Sequence, residues 1–427
     1  MRSRRNRRTI AIPGQPNLDL TPIYPLINTP QFQRLSHLRQ LGPNYIVFIS
    51  AHHSRLEHSL GTYGLTCRRV KRWRHEGSIT PAEGHNLCLF ALLHDIGHGP
   101  YCHDIEPLCS RNHKDQGLLL LNELEQPIRQ CEGDLACLQQ LFQGTHRLRC
   151  AISHRPLGTD KLDYLSRDAL HTVGATNLRV DDLLNHIHIH QAELIAERKT
   201  VSEIMQAQHE YAHMYERVYL RKACLIAKRY VQKLVAREMR VNSWLTEDRL
   251  WQMTDAELDA LLFHSPRARV GQLFRRFYEN SHRLLPKMAV ALVSDIRTAL
   301  DRRANKPVAM FQVSLEKLHR FNRFQNPFVA AELEQEIAAV IDIPEESILM
   351  IPVVTPEKLM PDDISVYDDT EYVGQLSELY PCHYQHLTER IQTYAAVRVC
   401  VFPEHRQRAV NQAARIYDLL MAHASVS

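Results

Sequence analysis

The stretch FALLHDIGHGP, residues 90–100, ends an apolar run in His94 and Asp95, with His98 following among glycines. A carboxylate carried into the interior is costly unless it is paired or bound to a metal, and a neutral imidazole beside it is the commonest metal ligand. A two-residue motif also fits a satisfied pair that merely helps to end a helix, so His94 and Asp95 do not decide the matter alone. Two further segments shift the balance. In HHSRLEHSLGTYGLTCRRV, Arg55 and His58 are three residues apart and share one flank of a helix. In GTDKLDYLSRDAL, a spacing of four sets Asp160, Tyr164 and Asp168 along one face with Lys161 adjacent, a pattern that by itself would read as a solvated polar face. Taken together, His58, His94, Asp95 and Asp160 make a nitrogen and oxygen donor set suited to a divalent metal with open positions.

These side chains need rigid carriers. Thr80 can cap a helix, Pro81 fits its first turn and Glu83 completes a capping box, so a helix is predicted from there to about Ile96. Every residue from Leu87 to Leu93 is apolar, which predicts a helix surrounded by protein on all sides. Leu56, Leu60, Tyr63, Cys67 and Val70 form the apolar stripe of a second helix, and Leu162, Leu165 and Ala169 that of a third.

Helical spacing continues to about residue 325, in MTDAELDALL and in YAHMYERVYLRKACLIAKRYVQKLV, for example. From about Ala330 the pattern changes to a short helix, the β-rich runs SILMIPVV and DISVY, another helix, the run VRVCVF and a closing helix. The expected fold class is mainly α, with a smaller α/β C-terminal lobe. The expected division is a basic arm at 1–20, a helical core at 21–329 and the lobe at 330–427. Within the core, NHIHIHQ alternates His186, His188 and His190 with isoleucines, which suits a half-exposed hairpin strand followed by its partner AELIAERK better than it suits a metal site.

At 427 residues with a formal charge of +4, the chain can bury a sizeable core and does not resemble a nucleic-acid-coating surface. Five arginines among the first eight residues form a short basic arm, read as a solvated tail ahead of a phosphate-binding arm that contacts nucleic acid or a membrane-surface arm. The ten cysteines contain no C-x-x-C pair and read as thiols in a reducing cytosol. No apolar run reaches membrane-spanning length and the N-terminus has no adequate signal core, so a soluble cytoplasmic protein is expected.

Beyond single motifs, several segments resemble the HD-domain phosphohydrolases, and more narrowly the deoxynucleoside triphosphate triphosphohydrolases. They are NTPQFQRLSHLRQLGPNYIVFISAHHSRLEHSLGT, LLHDIGHGPYCHDIE, TDKLDYLSRDA, MYERVYLRK and, more faintly, PDDISVYDD through AAVRVCVF. The resemblance covers about residues 22 to 405 and is weak after Ala330. It implies an all-helical HD-domain core in which His58, His94, Asp95 and Asp160 hold a divalent metal, with magnesium, manganese, iron and zinc all open. It also implies that Arg55, Lys161 and Tyr164 grip a triphosphate, that His103 aided by His113 does proton work near the α-phosphate, and that Asp168 and His98 complete the pocket. Gln40 and Leu41 would meet the deoxyribose, Leu41 crowding the place of a 2′-hydroxyl. A homo-oligomer is expected on the same ground. Asn28 and Ser36 stand where regulated members have Asp and Arg, so a nucleotide-activator site is not implied. His113 in NHKDQG has one residue more before the Gln-Gly than the family pattern.

The expected activity is metal-dependent hydrolysis of a deoxynucleoside triphosphate to deoxynucleoside and triphosphate, by water attack at the α-phosphorus. Such chemistry needs charge neutralisation, an activated water and a protonated leaving group. A divalent ion serves the first two, arginine and lysine screen the phosphates, and a positioned histidine contributes roughly 10²–10⁴-fold as acid or base. The alternatives are a phosphohydrolase acting on another nucleotide or a nucleic-acid end, and a non-catalytic nucleotide-binding regulator.

Overall fold

Ser54 and Glu57 exchange side-chain and backbone hydrogen bonds in a capping box that starts helix α1, Arg55–His75. Thr80 and Glu83 do the same for α2, Pro81–Leu93, with Pro81 in the first turn as predicted. The computed structural model describes residues 8–267, 269–280, 284–296, 307–353 and 359–425. The first seven residues, and with them four arginines of the basic arm, lie outside the described residues.

Leu87, Leu89, Phe90, Leu92 and Leu93 of α2 are fully buried. At about 1.5–3 kcal/mol for each such side chain, this fixes the depth of the helix and of whatever follows it. α2 stops at Leu93 and not at Ile96; His94 is its C-terminal cap, and residues 94–97 form a turn that presents both polar side chains to one cavity. The longer helices that follow are α3 (His113–Glu123), α4 (Leu135–Gln143) and α5 (Thr159–Leu170). They pack with α1 and α2 around a core that includes Trp73, Phe90, Leu121, Leu141 and Leu162. Leu162, Leu165 and Ala169 are the buried stripe of α5, as their spacing predicts.

The long helical run after residue 200 is interrupted. α6 (Val201–Met214) passes into one wide turn of π-helix at Tyr215–Tyr219, and α7 (Lys222–Val241) begins anew beyond Arg221. Tyr211, Tyr215 and Tyr219 keep a spacing of four, so periodicity cannot reveal the break.

Strands β1 (Thr9–Ile10) and β2 (Leu18–Asp19) form a small ribbon. β3 (Ile187–His190) and β4 (Glu193–Glu197) are the predicted hairpin, although His186 ends the preceding helix and is not part of the strand. The imidazoles of His186 and His188 are taken up by Glu197, and His188 also meets Glu76. Strand structure also begins earlier than the sequence suggests, with β5 (Lys287–Val293) and β6 (Ala309–Gln312) ahead of α8 (Pro327–Ile341). After it come β7 (Ile348–Ile351), β8 (Ser365–Asp368), β9 (Glu371–Gln375), α9 (Pro381–Gln392), β10 (Ala396–Val401) and α10 (Ala413–Ser425).

One sheet has the order β6-β5-β10-β7 and the other β3-β4-β8-β9. In the first, Met288, Ala291 and Cys400 face one core, which includes Tyr230 and Leu234 of α7, while Val290, Leu292, Val397 and Val399 face another, built with α8 and α10. A sheet covered on both faces shows unbroken apolar strands, and KMAVALV is therefore hard to tell from a buried helix. The fold is a helical core with a smaller α/β lobe. The second sheet joins the two by pairing β4 with β8 in parallel.

Candidate active site

α1, α2 and α5 deliver their polar ends to one cavity of about 670 Å³. His58 Nε2 is 3.6 Å from Asp95 Oδ2 and 3.3 Å from Asp160 Oδ1. His94 Nε2 is 3.4 Å from Asp95 Oδ1 and 3.8 Å from Asp160 Oδ1. Ligands about 2.0–2.2 Å from one ion stand about 3–3.6 Å apart; the donor atoms of His58, His94 and Asp95 lie within 4.8 Å of one another, and Asp160 borders this group through both imidazoles.

The ring orientations agree with that role. His58 Nδ1 lies 2.9 Å from Asp163 Oδ2, and His94 Nδ1 lies 2.9 Å from the carbonyl oxygen of Ala91. Both histidines thus turn Nε2 inward, and His94 Nε2 is buried without a hydrogen-bond partner among the described residues. Outer partners of this kind fix the tautomer of ligating histidines. Burial alone would lower the His58 imidazole, yet hydrogen bonds to Asp160 and Asp163 and the charge of Asp95 hold it at about 9. Burial likewise opposes the charge on Asp95, and Arg55, His94 and His98 outweigh it, keeping the carboxylate well below its ordinary range. For Asp160 the opposing groups are Lys161, His58 and His94. Such a site draws positive charge to its centre, and its residues fit a divalent cation.

Two glycines permit this assembly. A Cβ on Gly61 of α1 would land on the Asp163–Arg167 pair of α5, and one on Gly97 would overlap the backbone of His113 and Gly117 in α3. The second close approach brings α3 against the turn that follows Asp95. Beside the first donor group, His98, His103, Glu106 and His113 form another, all their donor atoms within 4.8 Å of one another. Glu106 Oε1 is 2.8 Å from Nδ1 of both His103 and His113, and the His98 and His113 rings stack at 4.2 Å. His103 is exposed at the cavity rim, whereas His98 is fully buried. Burial and the nearby Arg55 and His113 push His98 well below its usual value.

Gln40, Leu41, Arg55, His103, His113, Lys161, Tyr164 and Asp168 line the cavity as expected, whereas His98 lies behind its wall and does not complete the pocket directly. Gln40 turns Oε1, buried and without a partner among the described residues, and Leu41 packs with Leu165 and Tyr211. Asp168 is held by His53 Nε2 and the Tyr219 hydroxyl, each at 2.7 Å. Arg55 is committed to Asp95 and, at 2.8 Å, to Cys102 Sγ, while Lys161 Nζ is 2.7 Å from Asp160 Oδ2. Asn28 and Ser36 are exposed and do not line the cavity.

Sequence reasoning missed Glu106, Asp163, His53 and Tyr219. Asp163 and Arg167 were legible as a pair four apart on α5. Glu106 stands three residues after His103, but nothing local ties it to His113 as well. His53 and Tyr219 reach Asp168 from remote segments and left no local signal.

No family model matches the chain. It is 29% identical over 231 residues to an uncharacterized protein of Bacillus subtilis, YwfO, covering 52% of this chain and 53% of that one. It is 28% identical over 221 residues to the deoxynucleoside triphosphate triphosphohydrolase SAMHD1 homolog of Dictyostelium discoideum, covering 47% of this chain and 43% of that one. The chain thus spans about half the length of the curated relatives it matches. A phosphohydrolase structure from Bacteroides thetaiotaomicron superposes with a TM-score of 0.70 at 18% identity, covering 93% of this chain and 100% of that one. The chain therefore shares the fold of that structure. A triphosphohydrolase homolog and a phosphohydrolase structure are thus both similar to the chain.

Proposed function

We propose that the protein splits deoxynucleoside triphosphates into deoxynucleoside and triphosphate by water attack at the α-phosphorus. The observation that carries this reading is the convergence of His58, His94, Asp95 and Asp160 beside a cavity whose walls are rich in arginine and lysine. A divalent ion bound there supplies charge neutralisation and polarises the phosphoryl oxygen.

The chain's own residues do the rest. Lys161 and Tyr164 orient the phosphates, and Asp163 and the Ala91 carbonyl keep the ligand imidazoles turned inward. His103, held through Nδ1 by Glu106, presents its other nitrogen at the rim, where a leaving-group oxygen needs a proton. Leu41 and Gln40 shape the sugar end, with the free Gln40 acceptor facing a ligand donor.

The test is a product assay across all four deoxynucleotides with magnesium or manganese, with Asp95→Ala as the control. Intact tripolyphosphate released by the native protein alone supports the reading; its absence from every deoxynucleotide, with and without added activator nucleotides, overturns it. Orthophosphate or pyrophosphate as the product assigns the same fold to another nucleotide reaction.

A further inference from the structure

Most basic side chains around the cavity already have a carboxylate. Arg55 has Asp95, Lys161 has Asp160, Arg155 has Asp362, and Lys228 lies 3.5 Å from Asp104. Arg229 commits its guanidinium to the carbonyls of Met350, Gln325 and Phe324, and Lys114 and Arg149 are likewise without a carboxylate among the described residues. Among the described residues the Lys114 ammonium has no hydrogen-bond or ion-pair partner. Arg149 donates to the carbonyls of Leu141 and Phe142 and lies over the Phe90 ring at 4.8 Å, with no ion-pair partner among the described residues. Both line the cavity.

Lys161 lines the same cavity. Burial and the neighbouring charges of Arg149 and Lys161 push the Lys114 ammonium below its usual value, and Arg149 in turn feels the charge of Asp160. Three cations therefore gather beside one candidate metal ligand. The fold gains little from the arrangement. Lys114 is the second residue of α3, where the helix dipole disfavours a cation, and clustered like charges repel. A bound polyanion reverses both penalties.

We propose that Lys114 and Arg149 form, with Lys161, an anion subsite beside the candidate metal centre that takes the distal phosphoryl groups of a polyphosphorylated substrate. The inference rests on the phosphohydrolase reading and narrows it. A nucleoside monophosphate seated at the metal centre leaves Lys114 and Arg149 without a counter-charge, whereas a di- or triphosphate reaches them. These two side chains thus select for phosphate-chain length, and Arg55 serves chiefly to hold Asp95.

Binding of inorganic tripolyphosphate and of orthophosphate, measured by calorimetry on the full chain without nucleotide, tests this apart from turnover. Tripolyphosphate is expected to bind the native protein more tightly than orthophosphate does. Lys114→Met and Arg149→Met should each weaken tripolyphosphate about tenfold, the worth of one charge-assisted hydrogen bond, and leave orthophosphate unchanged. Arg149→Lys should restore part of the loss. Because Arg149 also holds two carbonyls, the exposed Lys114→Met decides the matter alone if Arg149→Met fails to fold.

Equal tripolyphosphate affinity in the native protein and Lys114→Met overturns the proposal, as does a native protein that binds both anions equally or neither. If tripolyphosphate binding depends on Lys114 while no deoxynucleotide is split, the subsite stands and the triphosphohydrolase reading falls. If deoxynucleotides are split and Lys114→Met changes neither KM nor tripolyphosphate affinity, the reverse holds.

Discussion

His58 Nδ1 lies 2.9 Å from Asp163 Oδ2, and the same carboxylate receives Nε and Nη2 of Arg167 at 3.0 and 2.8 Å. One buried acid therefore orients a candidate metal ligand and neutralises a buried arginine. Asp163→Asn should lower metal affinity about 10–100-fold, the usual consequence of losing an outer-shell partner. It should also cost about 3–5 kcal/mol of stability, because Arg167 is left as an unpaired buried charge. Calorimetric metal titration and a thermal melt of the same preparation measure the two effects. Unchanged metal affinity in a folded variant would show that Asp163 serves Arg167 alone.

Gly97 is the point where the turn after Asp95 meets the first turn of α3. A side chain there must displace backbone at His113 and Gly117, and backbone cannot swing aside as a flexible side chain can. Gly97→Ala should therefore cost at least the roughly 1–3 kcal/mol typical of overpacking. It should also move His113 away from Glu106, so that activity falls further than stability does. A melting temperature and turnover equal to those of the native protein would refute this.

The candidate metal ligands were legible because each sits on a strongly patterned helix or in the turn that ends one. The capping box at Thr80 with the apolar run Leu87–Leu93 fixed one carrier, the stripe Leu60, Tyr63, Val70 a second and the stripe Leu162, Leu165, Ala169 a third; His58 and Asp160 lie on the last two, and His94 and Asp95 in the turn that ends the first. The residues that hold those ligands were not legible in the same way. Glu106 serves two histidines, one three residues before it and one seven after, and His53 and Tyr219 reach Asp168 from segments 115 and 51 residues away. Contacts of that range leave no periodic trace. The same reason hid β5, whose two buried faces erase the alternation that marks a half-exposed strand.

Away from the site, His383 of α9 packs against His209 of α6 with ring centroids 4.9 Å apart, and His386 lies 6.0 Å from His209. The His383 Nε2 atom is 2.7 Å from Gln208 Oε1. Burial, with His209 and His386 nearby, lowers His383 to about 4, against about 6.5 for a free imidazole. The unfolded chain then binds more protons than the native one between those values, so stability is lost as pH falls from about 6.5 to about 4. One such group accounts for about 1–3 kcal/mol. Thermal melts across this range should show a steeper acid decline for the native protein than for His383→Gln. Parallel curves would remove the role assigned to His383.

Glu106 is the acid on which the proton-transfer side of the site depends. Burial opposes its charge, but hydrogen bonds from His103 and His113 prevail and keep the carboxylate far below its ordinary range, so it stays ionised at any working pH. His103 is exposed and Glu106 is its one hydrogen-bond partner among the described residues, holding it at the rim beside the rings of His98 and His113. Glu106→Gln keeps the shape and removes the charge, and one amide oxygen cannot serve both rings as a carboxylate oxygen does. The expected result is a fall in kcat of about 10²-fold or more, the low end of what general acid–base catalysis contributes, with KM and metal content unchanged. His103→Ala should give a similar loss, and the double variant should lose little more, since the two act as one unit. Additive losses in the double variant would mean that Glu106 acts through His113 instead, and the proton would then have to come from the buried side of the cavity.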